Sequence, residues 1–169
     1  MEGTKSMRFD CINNQFVELS ILGYEFPEIT DKADEWNRNW LFVHINVKSN
    51  EKQWNKTHPS ITTFELKRLI DWFRNISENI SVKYSWIDFL EPNISFELTN
   101  NYDSNIKNIK IHLWAEFHPF VPTCANYRTD SATDAVPDYC IEFNATNEQL
   151  KNYANELEIE LKKYPERVK

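Results

Sequence analysis

Glycine is almost missing from this chain: Gly3 and Gly23 are the only two among 169 residues. A phosphate-cradling loop and a dinucleotide-binding fingerprint each need several glycines at fixed spacing, so both nucleotide-binding classes are excluded. Cysteine is scarce too, and Cys11, Cys124 and Cys140 form an odd set without a CxxC spacing. Such a set suits three free thiols in a reducing compartment rather than a disulfide framework. No apolar run approaches the roughly 20 residues that a membrane-spanning helix needs, and residues 1–8 lack the apolar stretch of a signal peptide. The expected location is cytoplasmic, with no membrane contact. Positive charge is also in deficit, with 19 Lys plus Arg against 26 Asp plus Glu and a formal net charge of -7. Phosphate backbones are held by basic patches, so direct binding of nucleic acid is not expected. A basic protein suits this charge better.

What the chain does have is bulk for a core. Hydrophobic residues make up 41% and include 11 Phe, 7 Tyr and 6 Trp, which takes the sequence out of the disordered class. The length suits one domain over residues 1–169, with residues 1–6 expected to be disordered. No internal repeat or low-complexity segment is visible.

Val17, Leu19 and Ile21 alternate with Glu18 and Ser20, the period of a half-buried strand. A first hairpin is predicted over 7–12 and 15–22, turning at Asn13-Asn14, because Asn tolerates positive φ. After Gly23 an acidic stretch to Asn39 reads as a surface loop, and Trp40 to Lys48 as a strand burying Leu41, Val43, Ile45 and Val47. Residues 49–60 are polar, contain Pro59 and are predicted to be loop. Thr62 and Glu65 make a capping box, and Leu66, Leu69, Ile70, Phe73 and Ile76 form one helical stripe over 63–76. Further strands are predicted over 82–90, 93–99 and 106–117, then a long loop over 118–138 and a short strand over 139–143. A second capping box, Thr146 with Gln149, opens a last helix striped by Leu150, Tyr153, Ala154, Leu157 and Leu161, and Pro165 ends it. The predicted class is α+β: a mostly antiparallel β-sheet of six to seven strands packed with two amphipathic helices.

Chemistry-bearing residues are dispersed. His44 and His112 meet only if their strands pair, and no helical HxxxH or HExxH spacing offers a metal set, so no metal and no cofactor are expected. His58 and His118 both precede proline, an extended position common in loops. Cys124 has no local motif that orients a base toward it, and Asp88 with Glu91 is a common pairing in any acidic chain. No catalytic residue is assigned. Trp40, Phe42, His44, His112 and Trp114 lie on the second faces of their strands, where either a partner or another layer of the fold would cover them.

The run Ile21-Leu22-Gly23-Tyr24-Glu25-Phe26-Pro27, followed by Asp34-Glu35-Trp36-Asn37 and Asn39-Trp40-Leu41, resembles the opening signature of the WapI-family immunity proteins. Later segments follow the same pattern in order. Thr62-Thr63 with Glu65-Leu66, Leu69, Asp71 and Trp72 resembles the family's central helix, and Phe89-Leu90-Glu91-Pro92-Asn93-Ile94 with Phe96 its middle strand pair. Ile109 to Glu116 resembles the next strand, and Tyr164-Pro165-Glu166-Arg167 the aromatic-Pro-x-Arg ending. The likeness covers roughly residues 8–167, apart from Pro119 to Pro137, where no family pattern can be placed. It implies a small cytoplasmic, non-catalytic protein that binds and neutralises the toxic domain of a bacterial polymorphic toxin, a tRNA-cleaving nuclease in the family's namesake. Two other functions stay open on the residues alone: a small-ligand-binding or structural module, and an enzyme of unrecognised type.

The expected partner-binding residues are Glu28, Asp31, Asp34, Glu35, Trp36 and Trp40. Carboxylates there would steer a basic toxin domain, and an aromatic side chain beside them would anchor it. Trp40 is ambiguous, because the strand it opens is able to bury it.

Overall fold

The computed structural model describes residues 6–29, 34, 36–120 and 138–167. The expected disorder of residues 1–6 falls, for 1–5, outside the described residues, as do Asp31, Glu35, Cys124 and most of the 118–138 loop. The chain runs β1 (Met7–Cys11), β2 (Gln15–Tyr24), β3 (Trp40–Lys48), β4 (Gln53–Thr62), α1 (Thr63–Ser77), β5 (Trp86–Ile87), β6 (Ile94–Leu98), β7 (Ile106–Leu113), β8 (Tyr139–Thr146) and α2 (Asn147–Lys163).

These strands make two four-stranded antiparallel sheets, β1-β2-β3-β4 and β5-β6-β7-β8, rather than one sheet of six to seven strands. The α+β class holds. Each half follows the same order, four strands and then a helix, and in each the strand ends on the threonine that caps the helix. Thr62 Oγ1 accepts from the Glu65 N–H and Thr146 Oγ1 from the Gln149 N–H, while both N3 side chains reach back to the cap backbone. Both predicted capping boxes are therefore formed.

The hairpin between β1 and β2 turns through Asn13 and Asn14, with φ of 57° and 60° as the predicted asparagine turn requires. Gly23, at φ +140°, sits where β2 shifts register against β3, a conformation that a side chain would strain.

Three expectations need correction. Residues 53–62 form strand β4 although the sequence there is polar and holds Pro59, because β4 is a sheet edge and Pro59 lies beside a register shift. Only Trp86 and Ile87 of the stretch 82–90 are strand. Strand β7 stops at Leu113, and residues 115–117 turn instead, with Ala115 at positive φ and Phe117 fully buried.

One core joins the two sheets, which meet directly at β1 and β8, and the two helices, which pack on each other. Phe9 of β1 stands at its centre, with ring centroids 5.0 Å from Phe143, 4.8 Å from Tyr153, 5.7 Å from Phe96 and 6.2 Å from Phe73. The stripe residues Leu66, Leu69, Phe73, Leu150 and Leu157 are buried, as are Val43 and Ile45.

Candidate functional site

The acidic segment between β2 and β3 is fastened to the C-terminal end of the chain. Arg167 places its guanidinium 3.5 Å from the ring centroid of Tyr24 and donates to the carbonyls of Phe26 at 3.1 Å and Ile29 at 2.9 Å. The Tyr24 hydroxyl donates to the Pro165 carbonyl, and the Tyr164 ring meets Tyr24 edge-on at 5.7 Å. From the other end, buried Asn39 accepts through Oδ1 from the Thr63 hydroxyl at 3.1 Å and from the Arg167 N–H at 2.8 Å. Planar guanidinium geometry suits such multiple donation, and the aromatic face adds an attraction that an ammonium would reproduce only in part.

Within the segment, Asp34 accepts from the backbone and side chain of Asn37 at the start of the short turn Asn37–Asn39. Trp36 is 55% exposed, and its ring stands edge-on to Phe64 with centroids 5.1 Å apart. Glu28 is exposed, whereas Trp40 is 9% exposed at the start of β3. Of the six residues expected to bind a partner, Glu28, Asp34 and Trp36 thus lie at or near the surface, and Trp40 is mostly covered. Asp31 and Glu35 lie outside the described residues.

Trp40 nonetheless borders a feature that no spacing in the sequence announces. A cleft of about 350 Å³ is lined by Glu25, Trp40, Phe42, His58, Pro59 and Glu91. These residues come from the end of β2, from β3 and β4, and from the turn before β6, so only the folded chain assembles them. Partial burial raises the Glu25 carboxyl above its ordinary range; the charge of Glu91 adds to this effect and His58 opposes it. Such a cleft, acidic and walled by rings, favours a cation over an anion.

The other residues singled out in the sequence serve the fold. His44 and His112 belong to different sheets and do not meet. His44 Nδ1 lies 2.8 Å from the Thr57 hydroxyl. His112 is buried beside Trp86 and Trp114, with Nδ1 2.8 Å from an Asp138 oxygen and Nε2 3.1 Å from Glu97. Neighbouring side chains of the same sheet, from β5, β6 and the residues flanking β7 and β8, therefore cover His112. Cys11 and Cys140 are free thiols. Among the described residues, no group of three or more His, Cys, Asp or Glu is placed to hold a metal, and no helix is long and apolar enough to cross a membrane.

One buried charge escaped the sequence reading. Lys107 has no exposed surface, and its ammonium donates to Asn79 Oδ1 at 2.7 Å, to Asn147 Oδ1 at 2.8 Å and to the Ser104 carbonyl. The signal was available, since Lys107 continues the inward series Ile109, Ile111 and Leu113.

No curated protein and no solved structure matches the chain. A family profile does match, over residues 8–165, from the start of β1 to the segment that fastens the acidic loop. By that match, covering nearly the whole chain, the protein belongs to the immunity protein WapI-like family.

Proposed function

We propose that this protein neutralises a toxin domain by binding it in a one-to-one complex, performing no chemistry of its own. Family membership is the observation that carries the proposal. The charge of -7 and the acidic surface beside Trp36 agree with a basic partner. A nuclease fits best among toxins, because a cleft evolved to hold phosphate presents the cations that a carboxylate-bearing surface complements. In the cytoplasm of the producing cell, such a complex would protect that cell's own RNA.

Stoichiometry separates a binder from an enzyme. The test is to express a cognate toxin domain alone and together with this protein. Growth arrest relieved by coexpression, a one-to-one complex by light scattering, and nuclease activity that falls to zero at one equivalent are the expected results. Relief without a complex, or inactivation at a small fraction of one equivalent, would instead establish an enzyme acting on the toxin.

A further inference from the structure

The groove lined by Thr63, Lys67, Glu158, Leu161 and Lys162 carries charges of both signs, and the one around Asp71, Lys83 and Tyr84 is likewise mixed. The region around the first turn of α1 is different, because exposed apolar side chains adjoin carboxylates that form no ion pair among the described residues.

We infer that the toxin-facing surface is centred on the first turn of α1, with Trp36, Phe64 and Leu90 as its apolar part and the cleft between Glu25 and Glu91 as the receptor for a basic side chain of the toxin. This deepens the reading of the protein as a toxin binder and rests on it. Leu90 is 61% exposed and Trp36 55%, large values for side chains whose backbones are pinned. The Leu90 N–H donates to Glu65 Oε1 at 2.7 Å, and Glu65 is itself buried in the capping box of α1. Trp36 leads into the turn that Asp34 holds through Asn37 and leans on Phe64, the residue next to Glu65. Apolar groups held in place lose little freedom on association, which is where preorganised surfaces gain affinity.

Charge selects the partner. Among the described residues neither Glu25 nor Glu91 is in an ion pair. Glu28 and Asp34 add negative charge nearby, while the neighbouring cation Arg167 is engaged by three backbone carbonyls and the Tyr24 ring. Lys67 lies one turn further along α1 and borders the groove on the other side, with Glu158 and Lys162. A guanidinium or ammonium entering the cleft would find two carboxylates and the Trp40 and Phe42 side chains. Its charge would also relieve the crowding of Glu25 by Glu91. In the cleft itself a phosphate would meet the carboxylates of Glu25 and Glu91, so the fitting occupant is a protein surface that pairs a basic residue with apolar ones.

The experiment measures association and dissociation rates of the purified toxin domain with the wild-type protein and with Glu91→Gln, Glu25→Gln, Trp36→Ala, Leu90→Ser and Glu148→Gln. Glu148, exposed at the start of α2, is the control for losing one negative charge elsewhere. Urea midpoints establish that each variant is folded, and exposed Glu91 keeps the test valid if half-buried Glu25 is not tolerated. Glu91→Gln should weaken binding about 10-fold and flatten its salt dependence, with Glu148→Gln within about twofold of wild type. Trp36→Ala and Leu90→Ser should speed dissociation by about 30-fold, as truncation of a buried anchor does. Wild-type rates in Glu91→Gln and Leu90→Ser, with the wild-type protein binding tightly, would overturn this surface and leave toxin binding intact. A wild-type protein that fails to bind would remove both.

Discussion

The guanidinium of Arg167 lies 3.5 Å from the ring centroid of Tyr24, joining the last segment of the chain to the end of β2. Since Arg167 also holds the carbonyls of Phe26, Pro27 and Ile29, it fixes the backbone that carries Glu25 and Glu28. Arg167→Ala removes the ring contact and several charged hydrogen bonds, so a loss of about 2 kcal/mol in urea unfolding is expected. Arg167→Lys should recover less than half, because one ammonium does not span the three carbonyls. Full recovery by lysine would mean that charge alone matters at this position.

The capping box of α1 supports both the helix and the loop before β6. Thr62→Ala removes one cap and should cost about 1 kcal/mol. Glu65→Ala should cost more, about 2 to 3 kcal/mol, since its carboxylate accepts from the Thr62 N–H and hydroxyl and from the Leu90 N–H, all in buried surroundings. Amide exchange adds a second check, with faster exchange at Leu90 expected in Glu65→Ala but not in Thr62→Ala.

Both helices were legible in the sequence because everything that specifies them is local: a threonine cap, its partner three residues on, and a stripe at spacings of three and four. Strand β3 was legible for the same reason, its period of two running unbroken from Leu41 to Val47. Strand β4 was not, since an edge strand with a wet face accepts Asn55 and Thr57, half-buried Lys56 on the other face donates to the His118 carbonyl, and the register shift accommodates Pro59. The division into two sheets depends on which strands pair across α1, and periodicity carries no such information. Trp36 and its acidic neighbours stood out by composition, whereas the cleft was hidden because Glu25, His58 and Glu91 are brought together only by folding.

Lys107 is the residue whose replacement by an isosteric apolar side chain is expected to be most instructive. Its ammonium ties the turn after α1 at Asn79, the β6–β7 turn at Ser104 and the start of α2 at Asn147. Lys107→Met fills the space but takes the ammonium from two amide oxygens and a carbonyl, and of these Asn79 Oδ1 keeps the Asn147 amide as a donor at 3.2 Å. A loss of about 3 kcal/mol is expected in urea unfolding. Stability equal to wild type would show that those oxygens regain partners at no cost.

Alkaline pH should destabilise the protein, through groups whose protons are held more tightly in the folded state. Burial raises the Cys11 thiol from an ordinary 9.0 to about 12, with the charge of Asp10 adding to it, and it raises the Tyr153 phenol from 10.0 to about 12. For an acid shifted upward on folding, the unfolded chain loses its proton first. The stabilising contribution is therefore complete below the unfolded value and is lost as pH rises through the folded one. That window runs from about pH 9 to 12 for Cys11 and from about pH 10 to 12 for Tyr153. Lys107 acts in the opposite sense, since burial lowers its pKa from 10.5 and deprotonation lightens its penalty as pH rises toward that value. Cys140, raised by burial, sides with the first two groups and Lys56, lowered by burial, with Lys107. The shifts at Cys11 and Tyr153 are the large ones, so the net change is a loss that begins near pH 9. Urea midpoints measured in reductant should be level from about pH 7 to 8 and fall above it. Cys11→Ser, which does not titrate in this range, should delay the fall, and Tyr153→Phe should flatten its later part. The slopes decide the matter rather than the midpoints, because each substitution also changes packing. An unchanged slope in Cys11→Ser would assign the alkaline loss to other groups.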